Sequence, residues 1–482
     1  MHCDSWFLAC TRGEASPVVE DDDLRVRAVN CDTSIIMTMS KSIIRTDNWN
    51  LNPSTKDKFC LQATVDEYRA FCKALSYVIL GHWVRLQNVD SKCAAIEKLV
   101  HQTKKNPTPK HKYFVKRFWK FPSYLRRAAI EFVWGQVSSY LTWYRTWQSG
   151  TRKRKDAKPP VFNPTTSCYP ALYSGNLIKF NTDYSIANIK VWNGTDWVWS
   201  AIPITSKRRR HLTGKRLSPY LVMSKTKCHL AVPFKIKPIV IKGEAVCAID
   251  VGINTLATAV IVTQNGTVTE RKFFHPSADI DRRDRQAAII RSKARKTKKL
   301  HRGFCKSHYR KAKNISLNIS HQISKQIIDF AISNSASVIV FEDLKGWKPS
   351  CGKKRSGLKQ KFHTWMHRRL VQFTTEKFEE QGGLVELVYA RGTSSWAYDG
   401  SGLLKRSNKK YSIAQFQTGK VYNCDLSAAS NIAARYWAYK LKLTCRKDGQ
   451  LPKGKRPVGK SRIPITLSNL WDREAAYVRF AS

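Results

Sequence analysis

The chain has 482 residues, 42% of them hydrophobic, which is enough for two or three domains with sizeable cores. Its 85 Lys and Arg against 35 Asp and Glu give a formal net charge of +50. A field of that size repels itself, so a polyanionic partner, nucleic acid before any other, is the physical reason to carry it. The basic residues run along the whole chain, which argues against a single membrane-binding tail, and no stretch is apolar enough to span a bilayer. The first 35 or so residues differ from the rest, with an acidic run VVEDDD over Val18 to Asp23 where a secretory signal would be apolar. They read as a disordered extension, a flexible tail or an over-extended start before Met37 or Met39.

Ser40 to about Leu51 suits strand. From Lys56 to Leu86 the pattern turns helical, with Leu61, Tyr68, Phe71, Leu75 and Ile79 recurring on one face. Ser91–His101 and Lys110–Trp119 are shorter helix candidates, and a long helix follows Pro122, whose missing N–H suits a helix start. The run SGTRKRKDAKPP, Ser149 to Pro160, is a boundary. β-like sequence follows, with a hairpin signal where IKVW and WVWS flank Asn193-Gly194 and a basic loop from Lys207 to Arg216.

After Gly243 the pattern changes to α/β. AVCAIDVGI is a buried strand, and TLATAVIVTQNGTVTERKFF is a hairpin over Asn265-Gly266. A basic stretch spans Asp279 to Lys313, an amphipathic helix Ile315 to Ile332. SVIVFE is a strand, Phe362 to Gln381 a helix, LVELVYA a strand, and Ser427 to Leu441 the last helix. Three strands in hairpin sequence, then helix, strand, helix, strand, helix, is the RNase H-like order, with the first strand central and the later ones parallel to it. After Arg446 the sequence reads as a flexible basic arm.

Three acids stand out. Asp250 lies in an apolar strand followed by Gly, Glu342 ends the apolar strand SVIVFE, and Asp425 opens the last helix. Each has an ordinary explanation as a turn or cap residue, strongest for Asp425 at a helix N-terminus. Together, in this strand order, they converge at the end of the sheet where open α/β sheets bind ligands. Three carboxylates with no His or Cys partner are hard oxygen donors, suited to Mg²⁺ or Mn²⁺ and not to zinc. Two such ions activate a water and stabilise the leaving oxygen of a phosphodiester.

The segments AIDVGINTLATA, VIVFEDLKG and NCDLSAASNIAARY resemble the three RuvC motifs of the TnpB family of transposon nucleases and the related compact type V CRISPR effectors. The likeness runs from about Ala245 to Tyr439. It implies RNA-guided DNA cleavage, with Asp250, Glu342 and Asp425 as ligands for two Mg²⁺ or Mn²⁺ ions, and guide RNA and target double-stranded DNA as partners. A guided binder that cuts weakly or not at all, and an unguided RNase H-fold transposition nuclease, are the alternatives.

The implied architecture is a multidomain α+β protein: an RNase H-like (RuvC) α/β nuclease domain, plus a β-barrel wedge domain interrupted by a helical recognition domain. The expected boundaries are an extension at 1–38, a split wedge at 39–55 and 156–243, helices at 56–155, the nuclease at 244–390 and 423–441, an insert at 391–422 and a basic tail at 442–482. The family's insert carries a four-cysteine zinc ribbon opening with TS. Here Thr393-Ser394, or Ser394-Ser395 in register with it, remain and the cysteines do not, save Cys424, so no zinc is expected. Packing of Trp396, Tyr398, Tyr411 and Phe416 is expected to keep the insert's shape, which leaves it available as a lid.

Candidate phosphate-binding residues are Arg291, Lys293, Arg295, Lys296, Lys298, Lys299 and Arg302 in the basic stretch, Lys207, Arg208, Arg209 and Arg210 in the basic loop, and Arg391 after the last strand. The tryptophans near basic residues, Trp143 and Trp199 among them, are better suited to packing than to base stacking. His363 and His367, one turn apart with no third ligand, read as surface or RNA-contacting residues. The thirteen cysteines, an odd number with no C-x-x-C, suit reduced thiols in a cytoplasmic protein that is nucleoid-associated when bound to DNA. The working unit is expected to be a monomer or a homodimer, with no membrane partner.

Overall fold

The structure, a computed structural model, describes residues 42–151, 158–165, 167–206, 209–224, 227–252, 255–298, 300–301, 303–345, 365–407, 412–441 and 465–471. It forms two compact units that meet in sequence at Lys237 and Pro238.

The first unit opens with strand β1 (Ile43–Asn50) and five helices: α1 (Thr55–Gly81), α2 (Trp83–Leu86), α3 (Lys92–Val100), α4 (Lys112–Arg117) and α5 (Ser123–Gln148). Six strands follow: β2 (Ile178–Phe180), β3 (Ile186–Trp192), β4 (Trp197–Pro203), β5 (Lys215–Arg216), β6 (Tyr220–Met223) and β7 (Cys228–Ile236). Ser54 caps α1 by accepting from the Asp57 N–H at 3.1 Å, and Pro122 is the residue just before α5. The expected turn over Asn193-Gly194 joins β3 to β4 in the register Trp192↔Trp197. The Asn193 side chain accepts from the Asp196 N–H at 2.7 Å, and Gly194 takes φ +106°, a conformation that favours glycine.

Strand β1 pairs antiparallel with β7, so the chain leaves this sheet, builds its helices and returns to the same sheet. Strands from before and after the helices therefore share a sheet, but the expected barrel is not seen. One sheet holds β1, β7, β5 and β6, the other β2, β3 and β4, and among the described residues no closed barrel forms. Closure needs a continuous ladder around the ring. Here isolated bridges such as Leu51↔Ile204 stand where a ladder would have to run. Helices and sheets also share one core: Leu61, Phe71 and Leu75 of α1, Leu125 and Val133 of α5, Ile189 of β3 and Val232 of β7 are all within it. Phe71 stacks on Phe121 with centroids 4.3 Å apart.

In the second unit, β8 (Ala245–Asp250), β9 (Ala257–Thr263), β10 (Val268–Phe274), β11 (Ala336–Asp343) and β12 (Leu384–Tyr389) form a sheet in the order β10-β9-β8-β11-β12. β8 pairs antiparallel with β9 and parallel with β11, and β11 pairs parallel with β12. This is the strand order read from the sequence. Helices α6 (Ser277–Thr297) and α7 (Lys306–Ser333) lie between β10 and β11 in sequence, and α8 (His367–Glu380) precedes β12. The insert supplies a small sheet of β13 (Lys405–Arg406), β14 (Ile413–Gln415) and β15 (Val421–Asn423), and β15 leads directly into α9 (Cys424–Lys440).

The large sheet separates two cores by the two-residue period of its strands. Cys247, Ile249, Ile339 and Phe341 pack with Ile319, Ile323 and Ile327 of α7 and with Leu370 and Phe378 of α8. Val246, Ala248, Val338 and Val340 pack with Ala429, Ile432, Ala433 and Trp437 of α9. Most of α9 is buried, and its many Ala and Ser residues let the helix lie close to the sheet. Each large apolar side chain sealed there contributes about 2 kcal/mol.

The tail departs from the expected free arm. Residues 465–471 are docked, with Leu467 and Leu470 buried in the α9 core and Trp471 donating to the Gly266 carbonyl at 3.0 Å. Two apolar anchors and an indole at helical spacing explain the docking; the surrounding basic residues hid that pattern.

Candidate active site

The period that divides the cores also places the acids. Even-numbered residues of β8 and β11 face α9, and Asp250 and Glu342 are the next even positions after Ala248 and Val340. The parallel register Ile249↔Phe341 sets the two acids one residue further along neighbouring strands. Asp425 is the second residue of α9. The expected alternative, that Asp425 caps its own helix, does not hold: the Asn423 side chain is the cap, accepting from the N–H groups of Asp425 at 2.9 Å and Leu426 at 3.0 Å. The Asp425 carboxylate is thereby left for other work.

Electrostatics ties the three together. Burial pushes the Asp250 carboxyl well above the ordinary carboxylate range, and the charges of Glu342 and Asp425 push it the same way. Burial also raises Glu342 and Asp425. Hydroxyl groups oppose it, with Thr393 donating to Glu342 and Thr255 hydrogen-bonded to Asp425. Cations oppose it too: Arg406 acts on Asp250 and Asp425, and Arg435 on Glu342. Among the described residues no group of three or more His, Cys, Asp or Glu is arranged to hold a metal ion. The acids share one end of the sheet and feel one another's charge without closing into a ligand cage.

Sequence reasoning missed several neighbours. Arg406, in β13, donates to the Ser394 carbonyl at 2.6 Å, and nothing in its local sequence marks it. Arg435 donates to the carbonyls of Tyr389 and, at 2.9 Å, Arg391. Burial pushes its guanidinium down to about 10. His367 is a correction: far from being a surface residue, it is 8% exposed and hydrogen-bonded to the backbone of Glu342, and burial holds it down to about 4, hence neutral at pH 7. His363 lies outside the described residues. Asp343 is exposed and accepts from the Lys345 N–H at 2.9 Å.

In the basic stretch, Arg291, Lys293, Arg295 and Lys296 are exposed on α6 and Lys298 ends it, while Lys299 and Arg302 lie outside the described residues. Arg282, Arg285 and Lys311 line an open groove of about 560 Å³ with Gln286, Asn314, Asn318 and Asp279, which pairs with Arg282 at 2.9 Å. In the basic loop Lys207 and Arg208 lie outside the described residues. Arg210 is exposed, whereas Arg209 is spent inside the fold, donating to the carbonyls of Asp183 at 2.6 Å and Tyr184 at 2.8 Å. Arg391 is exposed. Trp143 and Trp199 are about half exposed, at 49% and 45%. In the insert, Tyr398 packs against Phe416 and Tyr422 with centroids 5.6 and 5.2 Å apart, and against Trp471 of the docked tail; Tyr411 lies outside the described residues. Cys424 is buried, its thiol pushed up by that burial. No described helix is long and apolar enough to cross a membrane.

The sequence pattern of the Aq_aa04 family matches residues 45–193, in the first unit. "TnpB-like protein aq_aa05" of Aquifex aeolicus (strain VF5) is 28% identical over 130 residues, 26% of this chain and 42% of that protein. The chain thus aligns with less than half the length of this curated relative. Among solved structures, the mini-RNA-guided endonuclease CRISPR-Cas_phi3 aligns over 84% of this chain and 94% of its own at 12% identity and TM-score 0.47. CasPhi-2 (Cas12j) bound to crRNA aligns over 83% and 99% at 11% identity and TM-score 0.47. A Cas12f1–sgRNA–target DNA complex aligns over 81% and 99% at 11% identity and TM-score 0.31. Likenesses of this size do not fix a function. The sequence likeness to the TnpB-like protein is distant and partial.

Proposed function

We propose that this chain is an RNA-guided endonuclease that hydrolyses DNA phosphodiester bonds at Asp250, Glu342 and Asp425. The observation that carries the reading is the placement of three carboxylates, Asp250 buried and Glu342 and Asp425 partly buried, from two parallel strands and one helix start, at one end of a sheet where the other two raise the cost of ionising Asp250. Buried like charges are expensive unless a counter-charge joins them. An all-oxygen donor set of this kind fits Mg²⁺ or Mn²⁺. Asp250, Glu342 and Asp425 would hold two such ions, which when bound supply Lewis acidity toward the phosphodiester and its attacking water.

The chain's own residues do the rest. Thr393 and Thr255 orient two of the carboxylates through hydrogen bonds. The exposed cations of α6 and the groove beside α7 are suited to a phosphate backbone, and the formal charge of +50 suits a protein that holds a guide–target heteroduplex and a displaced strand. Guidance by RNA rests on the three motif segments and on the partial likeness to a TnpB-like protein.

The decisive experiment pairs Asp250→Ala with the wild type. The variant is expected to lose Mg²⁺-dependent cleavage of DNA while still binding nucleic acid; a variant that cuts as well as the wild type would remove the site. RNA is expected to co-purify with the chain, and DNA binding that is unchanged after RNase treatment would remove the guided reading. A second reading, guided binding with weak or no cleavage, is favoured by the acids' open arrangement with Arg406 among them. It predicts no metal-dependent product from the wild type itself.

A further inference from the structure

Thr393 belongs to the Thr-Ser pair that opens the insert. Here its side chain is 1% exposed and donates to the Glu342 carboxylate. The same hydroxyl oxygen lies 2.9 Å from the Ala390 carbonyl. A hydroxyl has one proton to give. A charged Glu342 takes it, because a hydrogen bond to a carboxylate is about twice as strong as one to a neutral carbonyl. The Ala390 carbonyl keeps the Thr393 N–H, at 3.4 Å.

The segment that carries Thr393 is stapled from one side by α9. Asn431 is fully buried, and its amide donates to the carbonyls of Thr393 at 2.9 Å and Trp396 at 2.8 Å. Arg435, four residues on and so on the same face, donates to the carbonyls of Tyr389 and Arg391. Four backbone carbonyls between residues 389 and 396 are thus held by two side chains of one helix. That helix carries Asp425 as its second residue. Through this staple, the support of Glu342 and the backbone of Asp425 belong to one rigid piece.

We propose that Thr393 is a positioning residue, fixed by Asn431 and Arg435, whose hydroxyl sets the orientation of the Glu342 carboxylate for divalent-cation binding; this rests on the function proposed above. The insert then governs the acids through a hydroxyl clamp at its root, independent of any zinc. Hydrogen bonds that orient a metal-binding carboxylate change metal affinity by about 10- to 100-fold when removed.

The test uses the full chain with Mn²⁺ alone as probe, read by calorimetry, together with the Mg²⁺ concentration that gives half-maximal cleavage and the melting temperature. Thr393→Val keeps the shape and removes the hydroxyl. It is expected to weaken Mn²⁺ binding about tenfold or more and to shift the Mg²⁺ requirement by a similar factor. Thr393→Ser, which restores the hydroxyl, should return both to within about twofold of wild type. Wild-type Mn²⁺ affinity and Mg²⁺ dependence in Thr393→Val overturn the proposal, as does Thr393→Ser failing equally. Should Thr393→Val not fold, Arg435→Gln carries the test by slackening the staple: a raised Mg²⁺ requirement supports the proposal, and an unchanged one overturns it. Asp250→Ala separates the two levels. If it loses Mn²⁺ binding and cleavage while Thr393→Val matches wild type, only the clamp is wrong; if it keeps both, the proposed site itself is wrong.

Discussion

Asp47 in the first unit and Asp250 in the second are equally buried, at 8% and 9% exposed, yet their surroundings are opposite. Asp47 is surrounded by donors. His211 Nδ1 lies 2.7 Å from one carboxylate oxygen, and the N–H groups of Arg210 and His211 approach the other at 3.0 and 3.3 Å. Asp250 is surrounded by burial and by two further acids. A buried carboxylate satisfied by its neighbours holds a fold together, here by pinning the basic loop to β1. One set against like charges costs stability, and it persists where something outside the chain completes it.

Four measurements would break or sharpen that contrast. The largest effect is expected on cleavage: replacing Asp250 with Asn should cost about a thousandfold in rate, about 4 kcal/mol of barrier, with Mg²⁺ saturating. A residual rate near wild type would place Asp250 with Asp47 as a structural acid. Next, Asp47→Ala should destabilise the protein by about 3 kcal/mol, read by chemical denaturation, because it removes the buried acceptor of the His211 ring and of two backbone N–H groups. Its cleavage, assayed well below the melting temperature, should stay at the wild-type level. Third, Asp250→Asn should raise metal-free stability by about 1 kcal/mol, since it removes the buried carboxylate that Glu342 and Asp425 repel. A loss of stability there would mean that the acids are structurally satisfied after all.

The smallest effect concerns acid sensitivity of the first unit. His82 and His111 face each other with their Nε2 atoms 3.1 Å apart, and burial lowers both from the ordinary histidine range. A histidine lowered in the folded state binds fewer protons than in the unfolded chain. Its stabilisation is therefore complete above about pH 6.5 and is lost as pH falls from there toward the lowered value. Melting temperature should drop between pH 7 and pH 5, and His82→Gln should flatten that slope. An identical slope in the variant would assign the sensitivity to other groups.

Local pattern carried much of the second unit. The strand order, the hairpin over Asn265-Gly266 and the strand-end placement of Asp250 and Glu342 all follow from a two-residue period with turn signals, which needs only neighbours in sequence. The basic stretch around Arg291 to Lys296 was legible as charge but not as a separate helix, which the structure forms over Ser277–Thr297. The barrel in the first unit was not, because alternating strands look alike whether their edges meet or not, and only the isolated bridges decided it. His367 was read as a surface residue since a single histidine in a polar helix gives no sign of the strand end it packs against.

The amino-acid sequence by itself determined which residues alternate toward α9, where the chain turns, and that three acids stand at the ends of their elements. Short-range sterics and hydrogen bonding dictate those features, and they act within a few residues. Tertiary structure alone decided that Asn423 and not Asp425 caps α9, that Arg406 and Arg435 lie near the acids, that Thr393 grips Glu342, and that Leu467 to Trp471 close the α9 core. Asn423 competes with Asp425 as an equally good cap, and the other contacts join residues about 20 to 200 positions apart, a separation over which no local preference carries information.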